Sequence, residues 1–229
     1  MNYLWIIIPI SILLVTAFII VRVVYGGVYG LLTKIVASLA LVVTAIVFTT
    51  FEGTIASGII AIGLLFGLIG DILLDLKVIY PEHNNAYLNS GMLAFGLGHI
   101  CYILAMIMYI GPEYDSLSAA GWAGLGGIFI TPIIIFVASK MGLNFGKFLY
   151  QTIVYSFLLS FVTVFSIILA FTMTSMWILA VGFALFLLSD LILSLQYFGG
   201  KQDNKLLIIT NHAFYYIAQI IILCFIFVA

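Results

Sequence analysis

The sequence predicts an all-helical integral membrane protein that crosses the bilayer about eight times. Three observations indicate this fold class: 66% of the residues are hydrophobic, only 7% are charged, and the mean hydropathy is +1.36. A soluble domain carries roughly 25% charged residues, so the charged side chains here are too few to cover a water-exposed surface. Lipid must therefore be the main solvent of the folded chain.

Apolar runs separated by short polar or glycine-containing breaks mark the expected spans. A helix needs about 20 apolar residues to cross the hydrocarbon core of a bilayer. The runs that meet this length lie at residues 3–21, 30–50, 55–76, 89–110, 118–138, 148–170, 175–197 and 206–228. The breaks at 51–54 and 171–174 are the weakest, and without both of them six long spans would remain. The connections are short, so we expect antiparallel neighbours in a single membrane domain over residues 1–229.

The distribution of charged residues supports eight spans and predicts their orientation. With eight spans, six of the seven basic residues fall on one side of the membrane, and the opposite side receives only acidic residues. The six basic residues are Arg22, Lys77, Lys140, Lys147, Lys201 and Lys205, and the acidic residues opposite them are Glu52, Glu113 and Asp115. The positive-inside rule then places the basic loops in the cytoplasm and both termini on the non-cytoplasmic side.

The composition also excludes some functions. A net charge of −1 provides no basic field for nucleic acid, so no nucleic-acid partner is expected. Cys101 and Cys224 lie inside apolar runs without CxxC spacing, and we expect them to be small buried hydrophobic residues.

Two pairs of spans share a pattern of polar residues. The third span ends Gly-Asp-Ile-Leu-Leu-Asp at residues 70–75, and the seventh ends Ser-Asp-Leu-Ile-Leu-Ser at residues 189–194. The span after each carries His-x-x-Tyr, beginning at His99 and at His212. Spans four apart have the same orientation, so the pattern is typical of a parallel repeat, although apolar sequences also match by chance.

Most of the ionisable residues inside spans fall in one layer of the membrane. Such residues are costly in lipid and by default indicate a functional site. They are Lys34, Asp71, Asp75, His99, Asp190 and His212. At 1.5 Å per residue they lie roughly 5–15 Å from the cytoplasmic ends of their spans, with Tyr155 and Asn211 in the same layer and Gln219 somewhat deeper. The sequence therefore predicts one polar cavity in the cytoplasmic half.

Several of these residues also have a structural interpretation. Asp75 would face lipid headgroups or pair with Lys77, and Lys34 would extend to the interface. Asp71 and Asp190 would form structural ion pairs, one of them with Lys34. A further argument comes from spacing, because residues four apart on a helix share a face, as Asp71 and Asp75 do.

Two neighbouring buried carboxyl groups can divide into a protonated acid and an ionised base. These are the groups that acid-catalysed addition of water requires.

The same residues are compatible with other functions. The chain contains neither G-x-S-x-G nor HExxH. A metal-dependent lipid hydrolase is a first alternative. Sequence spacing does not test it, because the Asp and His ligands would come from different helices. A transporter that relays protons through the same aspartates is a second alternative, and a scaffold without chemistry is a third. A polar layer in one half of the membrane favours a one-sided enzyme.

A set of residues follows a characteristic order across spans two to eight. They are Lys34, Gly70, Asp71, Leu74, Gly91, Phe95, His99, Tyr102, Tyr155, Gly182, Phe186, Ser189, Asp190, Tyr216, Ala218 and Gln219. In this order the chain resembles, over nearly its whole length, the family of YhhN-like integral membrane lysoplasmalogenases. Two features depart from the family pattern: Ile35 stands where Pro is expected after the lysine, and the Asn211-His212 pair lies outside the pattern.

The resemblance implies hydrolysis of the vinyl ether bond of a lysoplasmalogen, without a metal or cofactor. The products would be a fatty aldehyde and glycerophosphoethanolamine or glycerophosphocholine. Asp71 and Asp190 would be the acid and the base, with depth favouring Asp190 as the acid, and His99 would orient water or product. The residues expected to bind the lysophospholipid are Lys34, Asp75, Tyr102, Tyr155, Ser189, Tyr216 and Gln219. The expected location is a bacterial plasma membrane, with membrane lipid around the protein.

Overall fold

The computed structural model describes residues 4–228 and contains eight long α-helices. They are α1 (Leu4–Val24), α2 (Gly27–Glu52), α3 (Ile55–Ile79), α4 (Asn84–Ile110), α5 (Ser116–Lys140), α6 (Leu149–Ala170), α7 (Met176–Tyr197) and α8 (Lys205–Phe225). All eight are long and apolar enough to cross a bilayer, and no strand occurs between residues 4 and 228. The prediction of an all-helical membrane protein with eight spans is confirmed.

Most helices extend past the spans predicted from apolar runs. Helix α4 begins at Asn84, five residues before the expected start at 89, while α8 ends at Phe225 rather than 228. The extensions arise because helical hydrogen bonding continues through polar residues beyond the apolar runs, whereas α8 ends early in a turn at residues 226–228. Tyr3, the expected first residue of the first span, and the side chain of Glu52 lie outside this description.

The weak break between the second and third spans is a true helix boundary. Helix α2 ends at Glu52, and Thr54 caps the start of α3. The hydroxyl of Thr54 accepts from the Ser57 N–H at 3.2 Å, and the Ser57 hydroxyl accepts from the Thr54 N–H at 2.7 Å. This reciprocal pair is a capping box, which satisfies two backbone donors that a helix start leaves unpaired. The second weak break also holds, because α6 ends at Ala170 and α7 begins at Met176.

Seven of the helices form a closed ring, and α5 lies outside it. Contacts run in order through α1, α2, α3, α4, α6, α7 and α8, and α8 closes the ring against α1. Helix α8 also reaches α2 and α3, whereas α5 packs mainly along α6. The most extensive contacts join α3 to α4 and α7 to α8, which are the two pairs with the repeated polar pattern. An internal duplication stays a prediction.

Glycines allow α3 and α4 to approach closely. A Cβ atom at Gly70 would lie 2.6 Å from the Phe95 ring, and a Cβ at Gly91 would lie 2.6 Å from Leu74. Between membrane helices, where lipid removes the hydrophobic driving force, such close packing is a main source of association. These contacts hold the end of α3 that carries Asp71 against the rest of the bundle.

The polar residues of the predicted layer lie at one end of the bundle. That end contains the last turns of α3, α5 and α7 and the first turns of α2, α4, α6 and α8. The antiparallel order of the helices brings these turns together, as the short connections predicted. The orientation of this end in the membrane is inferred from the distribution of charged residues alone. Its assignment to the cytoplasmic side therefore stays a prediction.

Candidate functional site

A cavity of about 100 Å³ lies among the helices at this end of the bundle. One wall is apolar and includes Leu88, Met92 and Phe95 of α4 with Ile134 and Ile135 of α5. The polar side chains that line the cavity are Lys34, Asp71, Thr152, Tyr155, Ser156, Ser189, Asp190, Ser194, Tyr197, Asn211, His212 and Tyr215. A pocket that combines an apolar wall with a few converging polar groups is typical of a small-molecule or lipid site.

A chain of alternating charges lies on one side of the cavity. The Lys34 ammonium is 3.0 Å from Asp71 Oδ1 and 3.4 Å from Asp75 Oδ1, and Arg22 forms an ion pair with the same oxygen of Asp75. The spacing of Asp71 and Asp75 by four residues puts both on the face of α3 that meets Lys34. The two cations and two carboxylates balance, which is the condition for burying charge at acceptable cost.

These ion pairs decide between the interpretations left open for Lys34 and Asp75. Lys34 does not extend to the interface, because its residue is only 5% exposed. Asp75 does not pair with Lys77, whose ammonium lies instead 3.0 Å from the centre of the Tyr197 ring. The expectation of a structural ion pair is correct for Asp71, since Lys34 is its partner.

Asp71 accepts a full set of donors. Its Oδ2 atom receives hydrogen bonds from the Ser38 hydroxyl at 2.6 Å and from the Tyr215 hydroxyl at 2.8 Å, while its Oδ1 faces Lys34. Behind these donors, Gln219 donates to the Tyr215 hydroxyl at 2.9 Å, and the hydroxyls of Ser38 and Tyr216 are 2.8 Å apart. Three donors, one of them a cation, stabilise the ionised form of a carboxylate.

Asp190 has a much sparser environment. The Tyr155 hydroxyl donates to its Oδ2 atom, and between residues 4 and 228 no cationic side chain forms an ion pair with it. Asp190 is half-buried, whereas Asp71 is 2% exposed. The Nε2 atom of His99 lies 3.4 Å from the Tyr155 hydroxyl oxygen. Because that hydroxyl donates to Asp190, the imidazole is the donor to Tyr155.

Half of the predicted site residues line the cavity. They are Lys34, Asp71, Tyr155, Ser189 and Asp190. The other half are not among the lining residues; they are His99, Asp75, Tyr102, Tyr216 and Gln219. The roles of all ten residues stay predictions.

The second group supports the lining residues. His99 contacts Tyr155, and Asp75 holds Lys34. The Tyr216 hydroxyl donates to the Lys34 carbonyl at 3.3 Å. Tyr102 packs against the ring of Phe183, with centroids 5.3 Å apart, and its buried hydroxyl has no partner among the described residues.

Sequence reasoning missed three contributors to the site. Ser38 lies one turn after Lys34 on α2, and that spacing is a usable signal. Arg22 was counted only among the basic loop residues that predict the orientation. It lies in the last turn of α1, from which its side chain reaches Asp75. Tyr215 entered as part of the repeated His-x-x-Tyr pattern rather than as a ligand of Asp71.

The described residues offer no obvious metal centre. In the part of the chain from 4 to 228, no group of three or more His, Cys, Asp and Glu side chains is placed to hold an ion. The geometry thus adds no support to the metal-dependent alternative. Cys101 and Cys224 are both free thiols, each partly buried.

The fold and the cavity define an integral membrane protein with a polar site buried in one half of its helix bundle. Comparison with protein families identifies this class further, because the model described as the YhhN family matches residues 29–225. The chain therefore belongs to the YhhN family. No curated protein and no solved structure matches it.

Proposed function

We propose that this protein hydrolyses the vinyl ether bond of a lysoplasmalogen, with Asp190 as the general acid. One observation carries the proposal: two aspartates line the same cavity in opposite environments, one held by a cation and two hydroxyls, the other by a single tyrosine. Pairs of carboxyl groups whose surroundings differ in this way divide acid and base roles between them. Membership of the YhhN family is consistent with a membrane hydrolase.

The reaction begins with transfer of the Asp190 proton to the alkene carbon farther from the ether oxygen. The carbon–carbon double bond supplies the electron pair, and an oxocarbenium ion forms. Water then adds to the carbon that carries the ether oxygen and loses a proton to the Asp190 carboxylate, which restores the acid. The resulting hemiacetal breaks its bond to the glycerol oxygen while the proton of its new hydroxyl passes to that oxygen, so the aldehyde and the glycerol hydroxyl form and one water is consumed.

Asp71 supplies the fixed negative charge that this sequence requires. Its partners Lys34, Ser38 and Tyr215 keep it ionised and hold it in place before the substrate arrives. A preorganised charge aimed at the developing cation stabilises the transition state without reorganisation during the reaction. Lys34 is already paired with two carboxylates, so its role is to hold Asp71 rather than to bind the lipid phosphate.

Tyr155 and His99 position the acid. Tyr155 donates to Oδ2 of Asp190, and none of the described side chains bonds to Oδ1, which leaves that oxygen to carry the proton toward the substrate. His99 in turn donates to Tyr155 from behind the cavity wall. In this proposal His99 is a positioning residue.

The apolar wall formed by α4 and α5 accepts the start of the alkyl chain. The cavity of about 100 Å³ is smaller than the roughly 300–1,000 Å³ of pockets that enclose a drug-sized ligand. Only the reacting end of the lipid therefore enters, and the rest of the chain stays in the bilayer. Under the positive-inside rule this end faces the cytoplasm, and we propose a bacterial plasma membrane as the location.

Aldehyde release from a lysoplasmalogen by detergent-purified protein tests the proposal. The ethanolamine and choline forms are both offered, with and without EDTA, and the Asp190→Asn variant is compared with Asp203→Asn, which alters an exposed loop aspartate. We expect release that resists EDTA, disappears in Asp190→Asn and persists in Asp203→Asn. Absence of release from folded wild-type protein on both substrates, or full activity of Asp190→Asn, would overturn it.

A second readout tests the protonation step itself. In heavy water, transfer of a deuteron to the alkene carbon places one deuterium beside the aldehyde carbonyl, and mass spectrometry of freshly trapped product detects it. Product without deuterium at that carbon would contradict protonation of the alkene.

A further inference from the structure

His212 of α8 lines the cavity but takes no part in the acid–base scheme. Its residue is only 7% exposed. The imidazole stacks on the ring of Phe18, with centroids 4.9 Å apart and planes inclined by 14°. A buried imidazole that is stacked in this way has a fixed orientation, so each ring nitrogen points in a defined direction.

The hydrogen bonds of Asn211 determine the tautomer of His212. The side-chain amide nitrogen of Asn211 donates to the Ser189 backbone carbonyl at 2.8 Å, and a carbonyl can only accept. The amide oxygen of Asn211 therefore faces His212 Nδ1, at 2.8 Å, and Nδ1 must carry the hydrogen. In the neutral ring Nε2 is then a hydrogen-bond acceptor.

The Nε2 atom is left without a partner. It is buried, and no described residue forms a hydrogen bond to it. An unpaired buried acceptor costs free energy, and in a residue that lines a cavity this indicates a donor group on the ligand. The group that an uncharged imidazole acceptor would take is a hydroxyl.

We infer that His212 Nε2 accepts a hydrogen bond from the free glycerol hydroxyl of the lysolipid. This inference rests on the proposed function and names the group that the site selects. In a lysoplasmalogen the free hydroxyl sits on the glycerol carbon next to the one that carries the vinyl ether. Its acceptor must therefore lie close to the general acid.

His212 and Asp190 line the same cavity, and contacts between α7 and α8 connect them. Ser189 precedes Asp190 in the chain, and Asn211 binds both the Ser189 carbonyl and, at 3.0 Å, its hydroxyl. Asn211 then holds His212 through Nδ1. The acceptor and the acid thus belong to two neighbouring helices that are joined, through Asn211, by two hydrogen bonds of 2.8 Å.

The consequence is selection of lysolipids over diradyl lipids. A lipid with an acyl group on that oxygen has no donor for Nε2 and would leave the acceptor unpaired. A site built around a hydroxyl rejects an analogue that lacks it more strongly than an apolar pocket rejects extra bulk. His212 is accordingly a specificity-determining residue.

A pair of substrates and a pair of variants test the inference. The substrates are a lysoplasmalogen and its analogue in which the free hydroxyl is methylated. In His212→Asn the side-chain amide can still donate to Asn211, but nothing replaces Nε2; in His212→Gln the side-chain oxygen reaches the Nε2 position. His83→Asn, which changes an exposed histidine in the loop before α4, is the control.

Wild-type protein should prefer the free hydroxyl by about tenfold in kcat/KM, as expected for one lost hydrogen bond that leaves a buried acceptor. His212→Asn should abolish this preference, and His212→Gln and His83→Asn should retain it. Equal loss of activity on both substrates in His212→Asn would show that Nε2 serves water or the fold, and would overturn the inference. A wild-type protein that ignores methylation would overturn it as well.

A binding experiment separates this inference from the proposed reaction. Saturated 1-O-alkyl lysophospholipids, with the hydroxyl free or methylated, cannot be hydrolysed by alkene protonation. Their displacement of a fluorescent lysophospholipid should favour the free hydroxyl by the same factor in wild-type protein and not in His212→Asn. This result would stand even if no aldehyde were released, and equal displacement by the two lipids would refute the role of His212.

Discussion

Asp71 and Asp190 lie on corresponding turns of α3 and α7, yet their surroundings are opposite. Asp71 is buried in a set of charges and hydroxyls that leaves it little freedom, and its contacts reach α2 and α8. Asp190 is half-buried and bonded through one oxygen to Tyr155 of α6. Two aspartates at matching positions of the repeated pattern thus acquire different partners from the helices packed against them. Depth along a span therefore brings two carboxyl groups to one cavity but does not fix their partners, and our proposal assigns their roles from those partners.

Exchanging either aspartate for asparagine should separate catalysis from stability. Asp190→Asn removes the proposed acid, and we expect a loss of about 10²–10⁴-fold in kcat with an unchanged thermal unfolding midpoint, since only one hydrogen bond is altered. Asp71→Asn should lower both activity and the unfolding midpoint, because Lys34 loses a counter-ion. Aldehyde release and thermal unfolding in detergent measure the two effects. If the two variants behaved alike in both assays, the contrast between the sites would fail.

Removing the ammonium of Lys34, which Asp71 and Asp75 share, should lower the free energy of unfolding. Lys34→Met leaves Asp71 as an unpaired buried carboxylate, and breaking a buried pair costs about 3–5 kcal/mol. Lys140→Met, at the exposed end of α5, serves as the control and should change stability little. The double variant Lys34→Met with Asp71→Asn should recover part of the loss, because the uncompensated charge is gone. No recovery in the double variant would mean that Lys34 acts through packing.

Removing the tyrosine hydroxyl should disturb the Asp190 side without unfolding it. Tyr155→Phe deletes the hydrogen bond that orients the acid, and we expect about a tenfold fall in kcat, equivalent to roughly 1.4 kcal/mol. KM should change little, since the residue acts on Asp190 rather than on the bound lipid. Tyr150→Phe, five residues earlier on α6 and 74% exposed, is the matched control. A rise in KM at constant kcat would instead assign Tyr155 to substrate binding.

The smallest effect is expected at Ser38. Ser38→Ala removes one of three donors to Asp71, and the remaining donors Lys34 and Tyr215 should keep the carboxylate ionised. Stability should fall by about 1 kcal/mol, and activity should change by less than in the Tyr155 variant. Denaturation in detergent and the aldehyde assay measure these changes. A larger loss of activity from Ser38→Ala than from Tyr155→Phe would reverse the proposed division of roles.

The features of the fold and the site that depend on one helix at a time could be predicted from the sequence. Apolar runs identified the eight spans, and the spacing of Asp71 and Asp75 placed them on one face of α3. Counting residues from the loops also brought Lys34 and Asp190 to one layer, and both line the same cavity. These properties depend on the geometry of one helix, which is nearly constant.

Contacts between helices could not be predicted in the same way. The rotation of each helix about its axis decides whether a residue lines the cavity or lies behind it, and apolar sequences scarcely constrain that rotation. His99 lies behind Tyr155, and Tyr215 rather than Gln219 reaches Asp71, for this reason. The pairing of Arg22 with Asp75 could not be predicted either, because the two residues are 53 positions apart in the chain.

Infrared difference spectroscopy of the purified protein at neutral pH tests directly the proposal that Asp190 carries a proton and Asp71 a negative charge. A protonated carboxylic acid has a carbonyl stretch that is distinct from the bands of a carboxylate. We predict that wild-type protein shows this band, that Asp190→Asn abolishes it, and that Asp71→Asn leaves it in place. A band that survives in Asp190→Asn and disappears in Asp71→Asn would contradict the assignment of the acid.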